Sequence, residues 1–248
     1  MSYFSYQSKR IYYTEAGEGR PVVFLHGNTA SSRMFEPLLP LYGKSFRVIL
    51  LDFLGNGRSE RVEAFPTDLW QEEARQTIAL LEHLELDGVS LAGSSGGAWA
   101  ALNAALLRPD LVERVVADSF DGRTLAADFA QKLLKERAAA KLDEEAAGFY
   151  RWCQGEDWEQ VVDKDTEALV KCAKEGRPLF VKPLEELRVP LLLLGSLGDE
   201  MTRKDLREEY EAVAAKTDAE ICLFPEGSHP ALYSNAEAAA EAICRFLK

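Results

Sequence analysis

Gly93, Ser94, Ser95, Gly96 and Gly97 make a Gly-x-Ser-x-Gly run with Ser95 at its centre. A serine hydroxyl is a weak nucleophile at neutral pH and needs a base within hydrogen-bond reach, usually an imidazole held by a carboxylate. The chain has three histidines. His26 closes an apolar run beside Gly27, where it shapes a loop, and His83 falls in or beside a long helical pattern. Only His229, in Gly227-Ser228-His229-Pro230, follows a strand pattern on a loop able to reach the edge of a sheet. Ser95 and His229 are therefore the candidate nucleophile and base. The competing reading is a Gly/Ser turn and a solvated loop histidine.

The elements around Ser95 favour chemistry. Residues 88–92 read as a short buried strand and 96–107 as a helix rich in alanine and leucine, so the serine sits on a strand, sharp turn, helix unit. Gly93 and Gly97 let the neighbouring backbones approach while the central residue adopts a strained conformation. The Gly96 N–H then lies at a helix start, where unpaired donors and the dipole favour a developing negative charge.

The same alternation extends along the chain. Residues 3–7 and 10–14 read as edge strands, and 22–25, 46–51, 89–92, 111–117 and 189–194 as buried ones, followed by a strand at 220–224. Helical patterns fall at 34–42, 67–86 and 96–107, then at 202–216 and 234–247 behind Thr202 and Ser234 as capping-box residues. Strands alternating with helices predict an α/β fold whose mostly parallel sheet carries ligand chemistry at its carboxyl ends. His26, Asp52, Ser95 and Asp118 each follow an apolar run. Buried Asp52 is read as tying down its own turn, residues 55–59.

After Asp118 the rhythm breaks. The next buried strand begins only at Val189, and helical patterns at 124–140, 144–153 and 165–174 fill the gap. Residues 121–183 are read as an inserted helical cap on a core formed by 1–120 and 184–248. Phe120, Leu125, Phe129, Phe149, Trp152 and Trp158 are candidate apolar walls or cap-packing residues.

A net charge of -12 and the lack of a basic run exclude nucleic acid as a partner. No apolar stretch approaches the roughly 20 residues of a membrane span, and the N-terminal residues lack a signal-peptide pattern, so a cytoplasmic protein without a membrane partner is expected. The four cysteines lack C-x-x-C spacing and are read as reduced, mostly buried thiols. No cluster has metal-ligand spacing, and neither metal nor cofactor is expected. The patterns leave oligomeric state open.

Taken in order, His26-Gly27, the Gly93 to Gly97 turn, Asp199 after a strand and His229 after the last strand resemble the α/β-hydrolase superfamily, over nearly the whole chain. The loop Asp52-Phe53-Leu54-Gly55-Asn56-Gly57-Arg58-Ser59 is similar to one in its capped, esterase-like, serine-nucleophile members. The resemblance implies an eight-stranded, mostly parallel sheet flanked by helices, with an inserted cap. It also implies a nucleophile, acid, histidine order that Ser95, Asp199 and His229 reproduce, with Glu200 and Asp118 as alternative acids. The residue after His-Gly in such relatives donates to the oxyanion, which carries that role onto the Asn28 N–H beside that of Gly96. The implied activity is hydrolysis of a small carboxylic ester, lactone or thioester by a carboxylesterase-like serine hydrolase. C–C bond hydrolysis beside a ketone and acyl transfer use the same triad. A ligand-binding protein that keeps the fold without turnover is the reading from another class.

Overall fold

A computed structural model describes residues 2–248 and turns the apolar runs into strands. In chain order come β1 (Ser2–Tyr6), β2 (Lys9–Ala16), β3 (Arg20–Leu25), a 3-10 segment (Ser32–Leu38), α1 (Leu39–Tyr42), β4 (Phe46–Leu51), α2 (Leu69–His83), β5 (Val89–Ser94) and α3 (Gly96–Leu107). There follow β6 (Val112–Asp118), α4 (Phe129–Ala140), α5 (Glu144–Gln154), α6 (Trp158–Glu175), a 3-10 turn (Leu184–Glu186) and β7 (Leu191–Ser196). The last elements are α7 (Leu206–Thr217), β8 (Glu220–Phe224), α8 (Ala231–Ser234) and α9 (Ala236–Phe246).

The strands form one eight-stranded sheet in the order β1-β2-β4-β3-β5-β6-β7-β8. β2 runs antiparallel to β1 and β4, and the remaining pairs are parallel, which is the mostly parallel sheet expected. From β3 the chain steps to β4 on one side and then returns to β5 on the other. That reversal opens a crevice outside the carboxyl ends of β3 and β5. His26-Gly27-Asn28 follows β3 there, and Ser95 follows β5.

Alternation along the strands divides the core between the two faces of the sheet. Val23, Leu25, Leu91, Val115 and Leu193 pack with Leu80 of α2, Ala101 of α3 and Val213 of α7. Val22, Phe24, Ala92, Val116 and Leu192 pack on the opposite face with Ile243 and Phe246 of α9. Each such aliphatic side chain contributes roughly 1.5–3 kcal/mol when fully removed from water. Within α3, Asn103 is fully buried; its amide donates to the Leu179 carbonyl at 2.9 Å and accepts from the Val181 N–H at 2.8 Å. This pins the chain on its way back to β7.

The stretch expected as an insertion, 121–183, contains α4, α5 and α6. The end of α5 docks on the loops after β3 and β4. Buried Gln154 donates to the Ala30 carbonyl at 2.7 Å and accepts from the Gly57 N–H at 2.7 Å, while Ser31 Oγ donates to the Cys153 carbonyl at 3.0 Å. Arg61 grips Asp157 with two nitrogens and also donates to the Gly57 carbonyl. Among the described residues, no helix is long and apolar enough to cross a membrane.

Several expectations change in detail. The helix read at 34–42 is a 3-10 segment followed by a single helical turn, because Pro37 lies inside it and lacks the N–H that a continuous helix needs. The helix read at 124–140 starts later, at Phe129, and Arg123 ahead of it donates to Glu209 through its N–H and its guanidinium. The helix read from Asp165 begins at Trp158 and ends at left-handed Gly176. Neither capping box forms. Ser234 Oγ donates to the carbonyls of Ser228 and Pro230, Thr202 Oγ1 donates to that of Asp199, and the residues that precede α7 and α9, Asp205 and Asn235, make no side-chain cap bond. Of the free thiols, Cys153 and Cys172 are buried but Cys222 and Cys244 only half-buried.

Candidate active site

Ser95 occupies the apex between β5 and α3 with φ 54° and ψ −121°. A non-glycine residue held there stores on the order of 1–3 kcal/mol, tolerated only when the surroundings dictate it. Here they do. The Ser95 N–H donates to the Asp118 carbonyl at 2.8 Å, and its own carbonyl accepts from Ala98 N–H at 2.9 Å. A Cβ on Gly93 would stand 2.0 Å from the Gly97 carbonyl oxygen, and one on Gly97 2.2 Å from that of Leu25, so only glycines let the turn close. Ser95 remains half-buried.

His229 follows β8, and its Nδ1 lies 2.8 Å from Asp199 Oδ2. The Asp199 side chain is sealed from solvent, and its second oxygen accepts from the Met201 N–H at 2.9 Å. Burial alone pulls the imidazole pKa down, but the hydrogen bond and charge of Asp199 raise it above its ordinary 6.5. The alternative acids lie elsewhere: Glu200 is exposed, and Asp118 directs its oxygens to Ser94 Oγ at 2.8 Å and the Leu232 N–H at 3.0 Å. Asp118 thereby ties the serine turn and the His229 loop to the same strand end. Its burial, only partly offset by those bonds, pushes its pKa up to about 7.

The Asn28 and Gly96 N–H groups meet no acceptor among the described residues. Gly96 opens the 12-residue α3, whose positive end faces outward beside Ser95. Asn28 is drawn alongside because Gly27 packs against the serine; a Cβ on Gly27 would be 2.9 Å from Ser95 Cβ. The Asn28 carboxamide is itself bracketed, accepting from Trp70 Nε1 at 3.0 Å and donating to Asp165 Oδ2 at 2.8 Å.

The other candidates sort by their partners. His26 is fully buried; its Nε2 accepts from the Phe53 N–H at 3.1 Å, so its Nδ1 is the protonated nitrogen and donates to the Gly27 carbonyl at 2.8 Å. Burial lowers its pKa, and the neutral ring braces the two loops. His83 stacks on Phe4 at 5.4 Å, away from the crevice. Asp52 accepts from Arg58 N–H, tying its own turn as expected, and also from Ser32 N–H, which couples that turn to the β3 loop. Of the candidate walls, Phe149 and Trp152 face solvent, Trp158 stacks on Tyr150 at 5.8 Å, and Phe120 is fully buried against Trp99. Leu125 and Phe129 pack against the main core as partly buried side chains.

Trp70 and Asp165 are site neighbours that the sequence reading did not single out. Trp70 lies on the buried face of α2, where its type alone gives no sign of a role at the site. Asp165 did leave a signal, since it falls on the buried stripe of α6 between Val161, Val162, Leu169 and Cys172. A carboxylate on such a stripe implies a polar partner from another element.

Known proteins share the fold. The solved serine hydrolase of carbazole degradation, CarC, superposes with TM-score 0.75 at 22% identity, covering 99% of each chain. The esterase EaEST from Exiguobacterium antarcticum gives TM-score 0.75 at 21% identity and 96% of each chain. In sequence, 108 residues are 33% identical to (E)-2-((N-methylformamido)methylene)succinate hydrolase of Acinetobacter baylyi, covering 44% of this chain and 40% of that one. Another 32% identity over 114 residues links it to haloalkane dehalogenase 2 of Mycobacterium bovis, covering 46% and 40%. The matched stretch thus spans about 40% of these curated relatives. The model of the alpha/beta hydrolase family matches residues 22–242, most of the chain, and with this strand order and turn the chain belongs to that family.

Proposed function

We propose that the chain is a cytoplasmic serine hydrolase that cleaves a small carboxylic ester, lactone or thioester through an acyl-enzyme on Ser95. One observation carries the reading: an imidazole held at 2.8 Å by a sealed carboxylate belongs to a loop pinned to the same Asp118 that pins the strained Ser95 turn. Ser95 attacks the acyl carbonyl while His229 takes its proton, and Asp199 fixes the ring and stabilises its charged form. The N–H groups of Asn28 and Gly96 receive the oxyanion, each such donor being worth about 10²- to 10³-fold in rate. His229 then protonates the leaving group and activates water for deacylation. Residues 121–183 serve as the cap, supported by the contacts of α5 and α6 with the crevice loops.

A serine at the nucleophile position argues against dehalogenation despite the dehalogenase similarity, because an alkyl-ester intermediate needs a carboxylate nucleophile. The test is labelling by a fluorophosphonate probe alongside a panel of p-nitrophenyl esters, lactones, thioesters and β-diketones. Wild type should label and turn over esters, and Ser95→Ala should do neither. Turnover of β-diketones alone would replace the esterase reading with C–C hydrolysis, and an unlabelled, inactive wild type would favour a binding protein.

A further inference from the structure

Three elements converge on the carboxamide of Asn28. Its Oδ1 accepts from Trp70 Nε1 of α2 at 3.0 Å, and its Nδ2 donates to Asp165 Oδ2 of α6 at 2.8 Å. A Cβ on Gly96 would come 2.1 Å from the same Oδ1, so the amide packs directly against the residue that supplies the second oxyanion donor. The backbone beside it is not held by its own preferences, since Thr29 has φ 59°. Hydrogen bonding to Trp70 alone would leave the amide free to pivot about Oδ1. The bond to Asp165 removes that freedom.

Asp165 is an unusual residue to find there for packing reasons. It is 2% exposed and its Oδ1 has no hydrogen-bond partner, while Arg137 Nη2 stands 4.0 Å away and Arg137 Nε is likewise unpaired. A buried carboxylate with an unsatisfied oxygen opposes folding, and the charge of buried Arg137 at 4.0 Å offsets that only in part. Besides facing that guanidinium, the carboxylate gains the bond to Asn28.

We propose that Asp165 is a positioning residue for the oxyanion loop: through Asn28 Nδ2 it makes docking of α6 preset the Asn28 N–H beside that of Gly96. The proposal rests on the Ser95 reading above. Without that anchor the loop after Gly27 loosens and the Asn28 N–H is less well aimed, and one such donor typically carries about 10²- to 10³-fold in rate.

The experiment compares Asp165→Ala and Asp165→Asn with wild type in kcat, KM and fluorophosphonate labelling rate, with thermal midpoints measured on the same samples. Asp165→Ala should lower kcat by about 10- to 100-fold, part of the donor's full effect, with KM within about twofold and labelling slowed in parallel. Asp165→Asn, whose carbonyl oxygen accepts from Asn28 Nδ2, should recover kcat to within about threefold of wild type. Should the alanine variant not fold, Asp165→Ser takes its place, being polar but too short to reach. Undiminished kcat, a change confined to KM, or equal losses in the Asn and Ala or Ser variants would overturn the proposal. Normal Ser95 labelling with undiminished Asp165→Ala activity sinks this inference alone, whereas turnover that survives Ser95→Ala sinks the Ser95 reading and this inference with it.

Discussion

The imidazole of His229 is bound to Asp199 at 2.8 Å through a carboxylate that solvent does not reach. Because this bond and charge raise the His229 pKa above 6.5, the acid limb of kcat/KM against pH should have its midpoint above that value. Asp199→Asn should move the midpoint down and reduce kcat by about 10³- to 10⁴-fold. For stability the sign is opposite. The charged pair stabilises the fold fully below the unfolded pKa of 6.5 and ceases to as pH rises through the folded value. Steady-state profiles of both proteins decide the first point, and thermal midpoints across the same range decide the second.

Asp118 has its pKa raised from 3.8 to about 7, so the folded protein holds its proton more tightly than the unfolded chain does. Its contribution is favourable below pH 3.8 and fades as pH rises through about 7, above which a buried anion persists. Asp118→Asn, nearly isosteric, should therefore gain stability over wild type at pH 8–9, on the order of 1 kcal/mol. At pH 5 it should show little gain. Urea denaturation at the two pH values tests this.

Gly148 lies within α5, and a Cβ built there meets nothing within 4 Å. Its φ is not in the left-handed region, so Gly148→Ala should stabilise the helix by about 0.5–1 kcal/mol through loss of unfolded-state freedom. Activity should be unchanged. A higher thermal midpoint with the wild-type kcat is the expected result.

Gln154 joins α5 to the loops after β3 and β4, with its amide paired at both ends. Gln154→Leu fills about the same volume but takes the partners from the buried Ala30 carbonyl and the half-buried Gly57 N–H. The cost should be roughly 2–4 kcal/mol. Denaturant titration with an unchanged m-value would show that the loss lies in the folded state.

Much of this protein was legible one residue at a time. The unbroken apolar runs at Val22 to Leu25 and Leu191 to Leu194 identified strands covered on both faces, and the glycines around Ser95 identified a turn that nothing larger could close. These are local facts, because strand burial, helical period and turn sterics depend on residues within a few positions of one another. Where neighbours compete for a side chain, local patterns misled. Ser234 and Thr202 fit capping boxes, yet their hydroxyls serve loop carbonyls instead.

From the amino acids alone came the strand and helix alternation, the strained serine and the loop histidine. The sheet order, and the reversal between β3 and β5 that opens the crevice, came from the tertiary structure. So did the choice among Asp199, Glu200 and Asp118 as partner of His229, and the grip of Trp70 and Asp165 on Asn28. The reason is physical. A buried polar group lowers its energy by finding a partner in space, and which partner it meets is set by how distant elements pack, a matter on which its sequence neighbours are silent.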